Sequence, residues 1–245
     1  MLKDFFLGLA IVFFSVSAPQ RKTTIYIIGD STAANKIPKA FPEMGWGMKL
    51  QSNFDDQIQV DNRALNGRST KSFLAEKRWD AVLSTLQEGD YVFIQFGHND
   101  EKIDRPAVGT SLDEYKANLV KYIEDTKAKN AYPVLLTPIM RRNFKDGVFV
   151  DTHQGYPDVV RKVADSLQVP LIDMHQKTEK LILGMGEVPS IKLFNHVAVG
   201  HENYPEGKID NTHLSAEGAD AVASLVIEGI KEAKLSLSTN LKKGK

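Results

Sequence analysis

The sequence contains no cysteine. That excludes a disulfide framework, a thiol nucleophile, thiolate metal sites and a lipid-modified N-terminal cysteine. It also lacks an excess of charge of either sign: 31 basic and 31 acidic side chains give a formal net charge of zero. Nothing therefore points to nucleic acid or an anionic membrane as partner, and scattered basic residues read as solvated surface. No Gly-x-Ser-x-Gly elbow, P-loop or dinucleotide fingerprint occurs, so an α/β-hydrolase and nucleotide chemistry have no foothold. The one long apolar run, Phe5–Phe14, is too short for a membrane span, which needs about twenty residues.

That run has a different use. Lys3 precedes it and small residues follow in MLKDFFLGLAIVFFSVSAPQ, the layout of a secretory signal peptide. Residues 1–18 are read as a leader cleaved after Ser17 or Ala18, leaving no stable membrane anchor and an exported protein, periplasmic or extracellular. A buried or amphipathic N-terminal helix is the competing reading. Residues 19–235 form a single domain, and 236–245 a polar tail that reads as frayed.

Apolar, β-branched runs predict strands over Thr23–Gly29, Gln57–Ala64, Tyr91–Gly97, Pro133–Ile139 and Pro170–Met174. Several are hydrophobic at nearly every position, as strands covered on both faces are. Leu112, Tyr115, Leu119, Tyr122, Ile123 and Thr126 keep helical spacing behind a Ser111/Glu114 capping box. A last helix starts at Ser215, with Val222, Leu225, Val226, Ile230 and Ala233 on one face. Alternating strands and helices predict a three-layer α/β/α sandwich around a mainly five-stranded parallel sheet. Ligands bind such sheets at the carboxyl ends of the strands. The segment Gly184–Ile209 reads as a long loop, functional or mobile. Trp46 and Trp79 read as core.

Four short blocks carry groups capable of chemistry. In IYIIGDSTAANK (residues 25–36) a strand runs into Asp30, Ser31 and Thr32 ahead of an expected helix. Such residues also suit a strand-to-helix turn, and taken alone that plainer reading is favoured. In VDNRALNGRSTKSF (residues 60–73) Gly67 offers a backbone N–H that a ligand can approach closely. In YVFIQFGHNDEK (residues 91–102) an Asn99 amide at a strand end can donate to a developing oxyanion, though Asn-Asp after Gly is also good turn chemistry. His98 shapes the turn that aims Asn99, while Asp30 and Asp100 anchor loops.

Serine needs a base to take its proton, and the fourth block, YPEGKIDNTHLSAEGA (residues 204–219), supplies one. Asp210 sits three before His213, so its carboxylate can fold back and orient the imidazole. An Asx-turn beside a loop histidine is the alternative. Of the six histidines, only His213 has an aspartate so placed in a helix-entry loop. Arg68, Arg141, His153 and His196 are candidates to line a substrate cleft, and His175 reads as structural.

Taken together, Ser31, Gly67, Asn99 and His213 spell, in order, the letters of the SGNH or GDSL-type serine hydrolases, which this sequence resembles. The GDST, NGRST, FGHND and YPEGKIDNTHLS blocks and the RRNF…DTHQGYP stretch (residues 141–157) resemble the rhamnogalacturonan acetylesterase branch. Thr32, where the wider family has leucine, is expected in that branch. The resemblance implies the flavodoxin-like SGNH fold, Ser31 as nucleophile, His213 as base and Asp210 as its orienting acid. It also implies an oxyanion hole of the Ser31 and Gly67 N–H groups and the Asn99 amide. Its implied substrate is an acetylated poly- or oligosaccharide of the pectin type, attacked without metal or organic cofactor. Other acetylated glycans or small esters are the near alternative. A metal-dependent phosphoesterase using Asp30, His98, Asn99, Asp100 and His213, or a non-catalytic carbohydrate-binding protein, are distant ones.

Overall fold

The computed structural model describes residues 21–242. The leader expected over residues 1–18 therefore lies outside the described residues. Four parallel strands come first: β1 (Thr23–Gly29), β2 (Ile58–Asn62), β3 (Tyr91–Gln95) and β4 (Tyr132–Leu136). A small antiparallel hairpin, β5 (Phe144–Lys145) and β6 (Val148–Phe149), lies outside the main sheet, and β7 (Leu171–Ile172) completes it in the order β2-β1-β3-β4-β7. Helices α1 (Gly47–Leu50), α2 (Thr70–Ala75), α3 (Arg78–Leu83), α4 (Leu112–Ala128), α5 (Tyr156–Leu167), α6 (Met174–Met185) and α7 (Ala216–Glu232) cover both faces. The observed architecture is the expected α/β/α sandwich.

The strand sequences show why both faces are covered. Successive side chains of a strand point to opposite sides, and here both sides are apolar. Ile25, Ile27 and Phe93 join Trp46, Leu50, Ile182, Val222, Val226 and Ile230 in one core. Tyr26, Ile28, Val92 and Ile94 join Phe73, Trp79, Tyr115, Tyr122 and Val160 in the other. Both tryptophans are core, and each indole N–H finds an acceptor: Trp46 donates to buried Gln95 and Trp79 to half-buried Asp125, both at 2.7 Å. Helix α7 presses so closely on β7 that a Cβ at Gly229 would lie 2.2 Å from Ile172.

Several strands end earlier than their hydrophobic runs. Phe96 and Ile139 are fully buried but unpaired in the ladder, because apolarity reports burial rather than strand pairing. At the start of α4, Ser111 Oγ accepts from the Glu114 N–H at 3.1 Å. The expected return arm does not form, since the Glu114 carboxylate pairs with Lys71 at 3.1 Å. Leu112, placed on the buried face by spacing alone, is 41% exposed at the helix end.

The C-terminal segment corrects the sequence reading. Ser236–Asn240 form a 3₁₀ turn, Leu237 is 2% exposed, and Leu241 pairs with Phe54. Two apolar residues among the polar ones are enough to dock the segment on the core that holds α7. Leu237→Ala is therefore expected to lower the free energy of unfolding by about 2–3 kcal/mol. Urea denaturation checks this, and a loss below about 0.5 kcal/mol would mean that the segment contributes no packing.

Candidate active site

The sheet register sets the site. Gly29 at the end of β1 pairs with Gln95 at the end of β3, so the loops carrying Ser31 and Asn99 leave the sheet at one level. Ser31 sits in a tight turn, which differs from the expected helix entry: Ala33 and Ala34 N–H groups return to the Asp30 carbonyl. Pro38 follows closely and disfavours helix in the residue before it. Asp30 Oδ1 accepts from Thr32 N at 2.9 Å and Thr32 Oγ1 at 2.8 Å, the loop-anchoring role expected of Asp30. Thr32 is fully buried and also reaches Gln95 at 3.3 Å. It braces the turn from inside and does not face a ligand.

The Asp210–His213 loop arrives from the other end of the chain. Asp210 Oδ1 accepts from the N–H groups of Thr212 and His213, each at 2.9 Å. Its other oxygen lies 2.8 Å from His213 Nδ1. The ring then presents Nε2 to Ser31 Oγ at 2.9 Å. Burial pushes the Asp210 carboxyl up, but hydrogen bonds from the His213 ring and backbone outweigh it and hold it well below the usual carboxylate range. An imidazole held so can take a hydroxyl proton and share the resulting charge with a carboxylate. The loop itself is fixed by backbone bonds: Leu214 bridges both Met44 and Phe194, and Asn195 N–H donates to the His213 carbonyl at 2.8 Å.

Gly67 adopts φ +77° in an exposed loop, with nothing within 4 Å of where a Cβ would stand. Asn99 is 4% exposed. Its Oδ1 accepts from Lys102 Nζ at 2.7 Å, and its Nδ2 donates to the Arg68 carbonyl at 3.0 Å. These two partners fix the amide's orientation, tie it to the Gly67 loop and leave one Nδ2 hydrogen unassigned.

The four residues expected to line a cleft have other partners. Arg68 folds back on Glu76 at 2.9 Å and on the Asn66 carbonyl at 2.9 Å. Arg141 pairs with Glu101 and donates to Thr152 at 2.9 Å. His153 is a correction: it is fully buried, 2.9 Å from the Ile139 carbonyl and 3.2 Å from Glu101. Its ring fills a polar seam beneath the site instead of its mouth. Half-buried His196 contacts Asn211 Oδ1 at 2.8 Å, which braces the Asp210 loop. His175, as expected, is structural, 2.9 Å from Asp151.

Sequence reasoning missed Lys36, Glu43, Lys102 and Lys208, which contact the groups above. Lys36 reaches the Ser31 carbonyl, Asn66 and Glu43; Lys208 lies 3.4 Å from Asp210. With 31 basic residues in the chain, no local signal marks which lysine is buried. Among the described residues, no three His, Asp or Glu side chains form a cluster able to hold a metal ion.

Two buried ionisable groups underlie the turn. His98 lies with Nδ1 3.3 Å from Asp30 Oδ2, without the alignment of a hydrogen bond, and burial lowers its pKa to about 4. Asp100 accepts from Thr70 N at 3.0 Å and from its hydroxyl, but its Oδ2 has no partner. Burial pushes its carboxyl up from 3.8 to about 7, against the Thr70 bonds. Folding therefore favours protonated Asp100: that contribution is complete below pH 3.8 and is lost as pH rises through 7. Asp100→Asn keeps the oxygen that Thr70 binds and removes the charge. Relative to native protein it is expected to gain about 1–4 kcal/mol of stability between pH 4 and pH 8. Urea unfolding at both pH values checks this, and a pH-independent difference would contradict it.

Residues 27–221 match the model of the GDSL-like lipase/acylhydrolase family. The chain is 37% identical over 219 residues to the rhamnogalacturonan acetylesterase RhgT of Bacillus subtilis, covering 89% of this chain and 93% of that protein. It is 28% identical over 227 residues to the rhamnogalacturonan acetylesterase of Emericella nidulans, covering 84% of each. Among solved structures, protein YxiM from Bacillus subtilis superposes with a TM-score of 0.76 at 26% identity over 89% of this chain, which spans 58% of that structure's length. Axe2, an acetylxylan esterase from Geobacillus stearothermophilus, shares the fold with a TM-score of 0.60 at 21% identity, over 86% of this chain and 94% of that one. With a family match over most of its length and a relative aligned nearly end to end, the chain belongs to the GDSL-like lipase/acylhydrolase family, a family of esterases.

Proposed function

We propose that this protein removes acetyl groups from a pectin-type polysaccharide, rhamnogalacturonan or a close analogue, through an acetyl-enzyme on Ser31. The observation that carries the chemistry is the hydrogen-bonded line from Asp210 through His213 to Ser31 Oγ. The substrate rests on the two relatives named rhamnogalacturonan acetylesterases. Export is part of the same proposal, since a polymeric glycan is met outside the cytoplasm and residues 1–18 have the layout of a leader.

In the first half-reaction Ser31 Oγ bonds to the ester carbonyl carbon while its proton passes to His213 Nε2. The carbonyl electron pair becomes an oxyanion. In this reading the Ser31 and Gly67 N–H groups and the remaining Asn99 hydrogen stabilise it. The bond to the sugar oxygen then breaks, and His213 returns the proton to that oxygen. Water enters, gives a proton to His213 and attacks the acetyl carbon. Collapse releases acetate, and the proton goes back to Ser31 Oγ. Asp210 stays ionised throughout and orients the ring. These steps require neither metal nor organic cofactor.

Ser31→Ala and His213→Ala are expected to reduce turnover about 10⁴-fold, and Asn99→Ala about 10²–10³-fold, mainly in kcat. Acetate release from acetylated rhamnogalacturonan fragments, acetylated xylan and 4-nitrophenyl acetate measures both parts of the proposal. Near-native turnover by Ser31→Ala would refute the mechanism. Faster release from acetylated xylan than from acetylated rhamnogalacturonan would refute the substrate.

A further inference from the structure

The lysine five residues beyond Ser31 has no part in the proton transfers, yet it is placed at the centre of the site. The Lys36 side chain is 1% exposed. Burying an ammonium costs several kcal/mol unless its hydrogens find good acceptors. An ammonium has three N–H donors, and three acceptors surround this one, each at 2.7 Å: the Ser31 carbonyl, Asn66 Oδ1 and Glu43 Oε1.

Those acceptors come from two connections, two from the one between β1 and α1 and one from the loop after β2. Ser31 is in the turn after β1, Asn66 immediately precedes Gly67, and Glu43 lies in the segment leading to α1. Glu43 continues the chain of charges, with Lys208 at 3.5 Å from it and 3.4 Å from Asp210 Oδ2. Positive and negative groups thus alternate from Lys36 through Glu43 and Lys208 to Asp210. Burial raises the Glu43 carboxyl, but the Lys36 hydrogen bond and charge overcome this and keep it ionised below its usual range.

The Gly67 loop needs such an anchor. The glycine is exposed, its φ is positive, and no neighbour packs where a side chain would stand. Besides the backbone bond from Leu65 N–H to the Gly29 carbonyl at 3.0 Å, its ties to the site run through the residues on either side, Asn66 to Lys36 and the Arg68 carbonyl to Asn99. Misplacing a reacting or stabilising group by about 1 Å can cost about 10²-fold in rate.

We propose that Lys36, paired with Glu43, is a positioning residue that sets the spacing between the Ser31 turn and the Gly67 loop. The proposal rests on the reading of Ser31 as nucleophile and Gly67 as oxyanion donor. A group that only positions these loops affects the transition state more than substrate binding, so its loss falls on kcat.

The test uses Lys36→Met and, because a buried-charge variant can fail to fold, Glu43→Gln, which keeps the shape and an acceptor for Lys36 but removes the charge and the oxygen that faces Lys208. Circular dichroism and thermal melting establish folding. The readouts are kcat and KM for 4-nitrophenyl acetate and the rate at which a fluorophosphonate probe labels Ser31. Folded Lys36→Met is expected to lose about 10–100-fold in kcat with KM within about threefold, and to label more slowly in the same proportion. Glu43→Gln is expected to lose about 3–10-fold with the same split. A folded Lys36→Met with kcat within twofold of native, or with its loss confined to KM, overturns the proposal. If Lys36→Met does not fold, a folded Glu43→Gln with native kcat and labelling overturns it. Ser31→Ala run alongside separates the two levels: if it is inactive while the other variants are normal, only the positioning role fails. If it retains native turnover, the mechanism fails as well.

Discussion

A single 2.9 Å hydrogen bond, His213 Nε2 to Ser31 Oγ, joins residues 182 apart in the sequence. Everything else in the site presupposes it. No local propensity can hold two loops at that distance; the parallel sheet does so by delivering its strand ends to one edge. Residues that pack on β1 fix where Ser31 emerges. The docking of α7 on the same core fixes where the His213 loop ends.

Holding that bond requires burying polar groups that would otherwise resist burial. Asp30 is taken up by Thr32, Thr32 reaches Gln95, and Gln95 accepts from Trp46. A buried polar group is costly only while it lacks a partner, and this network supplies partners to Asp30 Oδ1, Thr32, Gln95 and Trp46, while Asp30 Oδ2 is left without a hydrogen bond. Above it, Lys36 and Glu43 neutralise each other in a position few lysines occupy. The result is a braced floor under the half-buried Ser31.

Much of this was legible before any coordinates. The unbroken apolar runs Ile25–Ile28 and Tyr91–Ile94 announce a sheet covered on two sides. The three-residue spacing of Asp210 and His213 announced their pairing, because it depends on local geometry. Long-range partnering was not legible. Nothing local distinguishes His153, which is sealed inside, from an exposed loop histidine, and nothing local shows that Lys36 finds three acceptors. The Leu237 and Leu241 contacts were hidden by the polar residues around them. Thr32 illustrates the limit from the other side: its identity resembles the acetylesterase branch, but its side chain faces the interior, so substrate preference has to come from other residues.

The central claim is that Ser31 becomes acetylated during turnover. The direct measurement is mass analysis of peptides from enzyme mixed with 4-nitrophenyl acetate and quenched in acid during the first turnovers. The account predicts a transient acetyl group on the peptide carrying Ser31, absent when that serine is alanine. Sustained ester hydrolysis with no acetyl group at Ser31, or with acetyl transfer to another side chain on the reaction path, would contradict it.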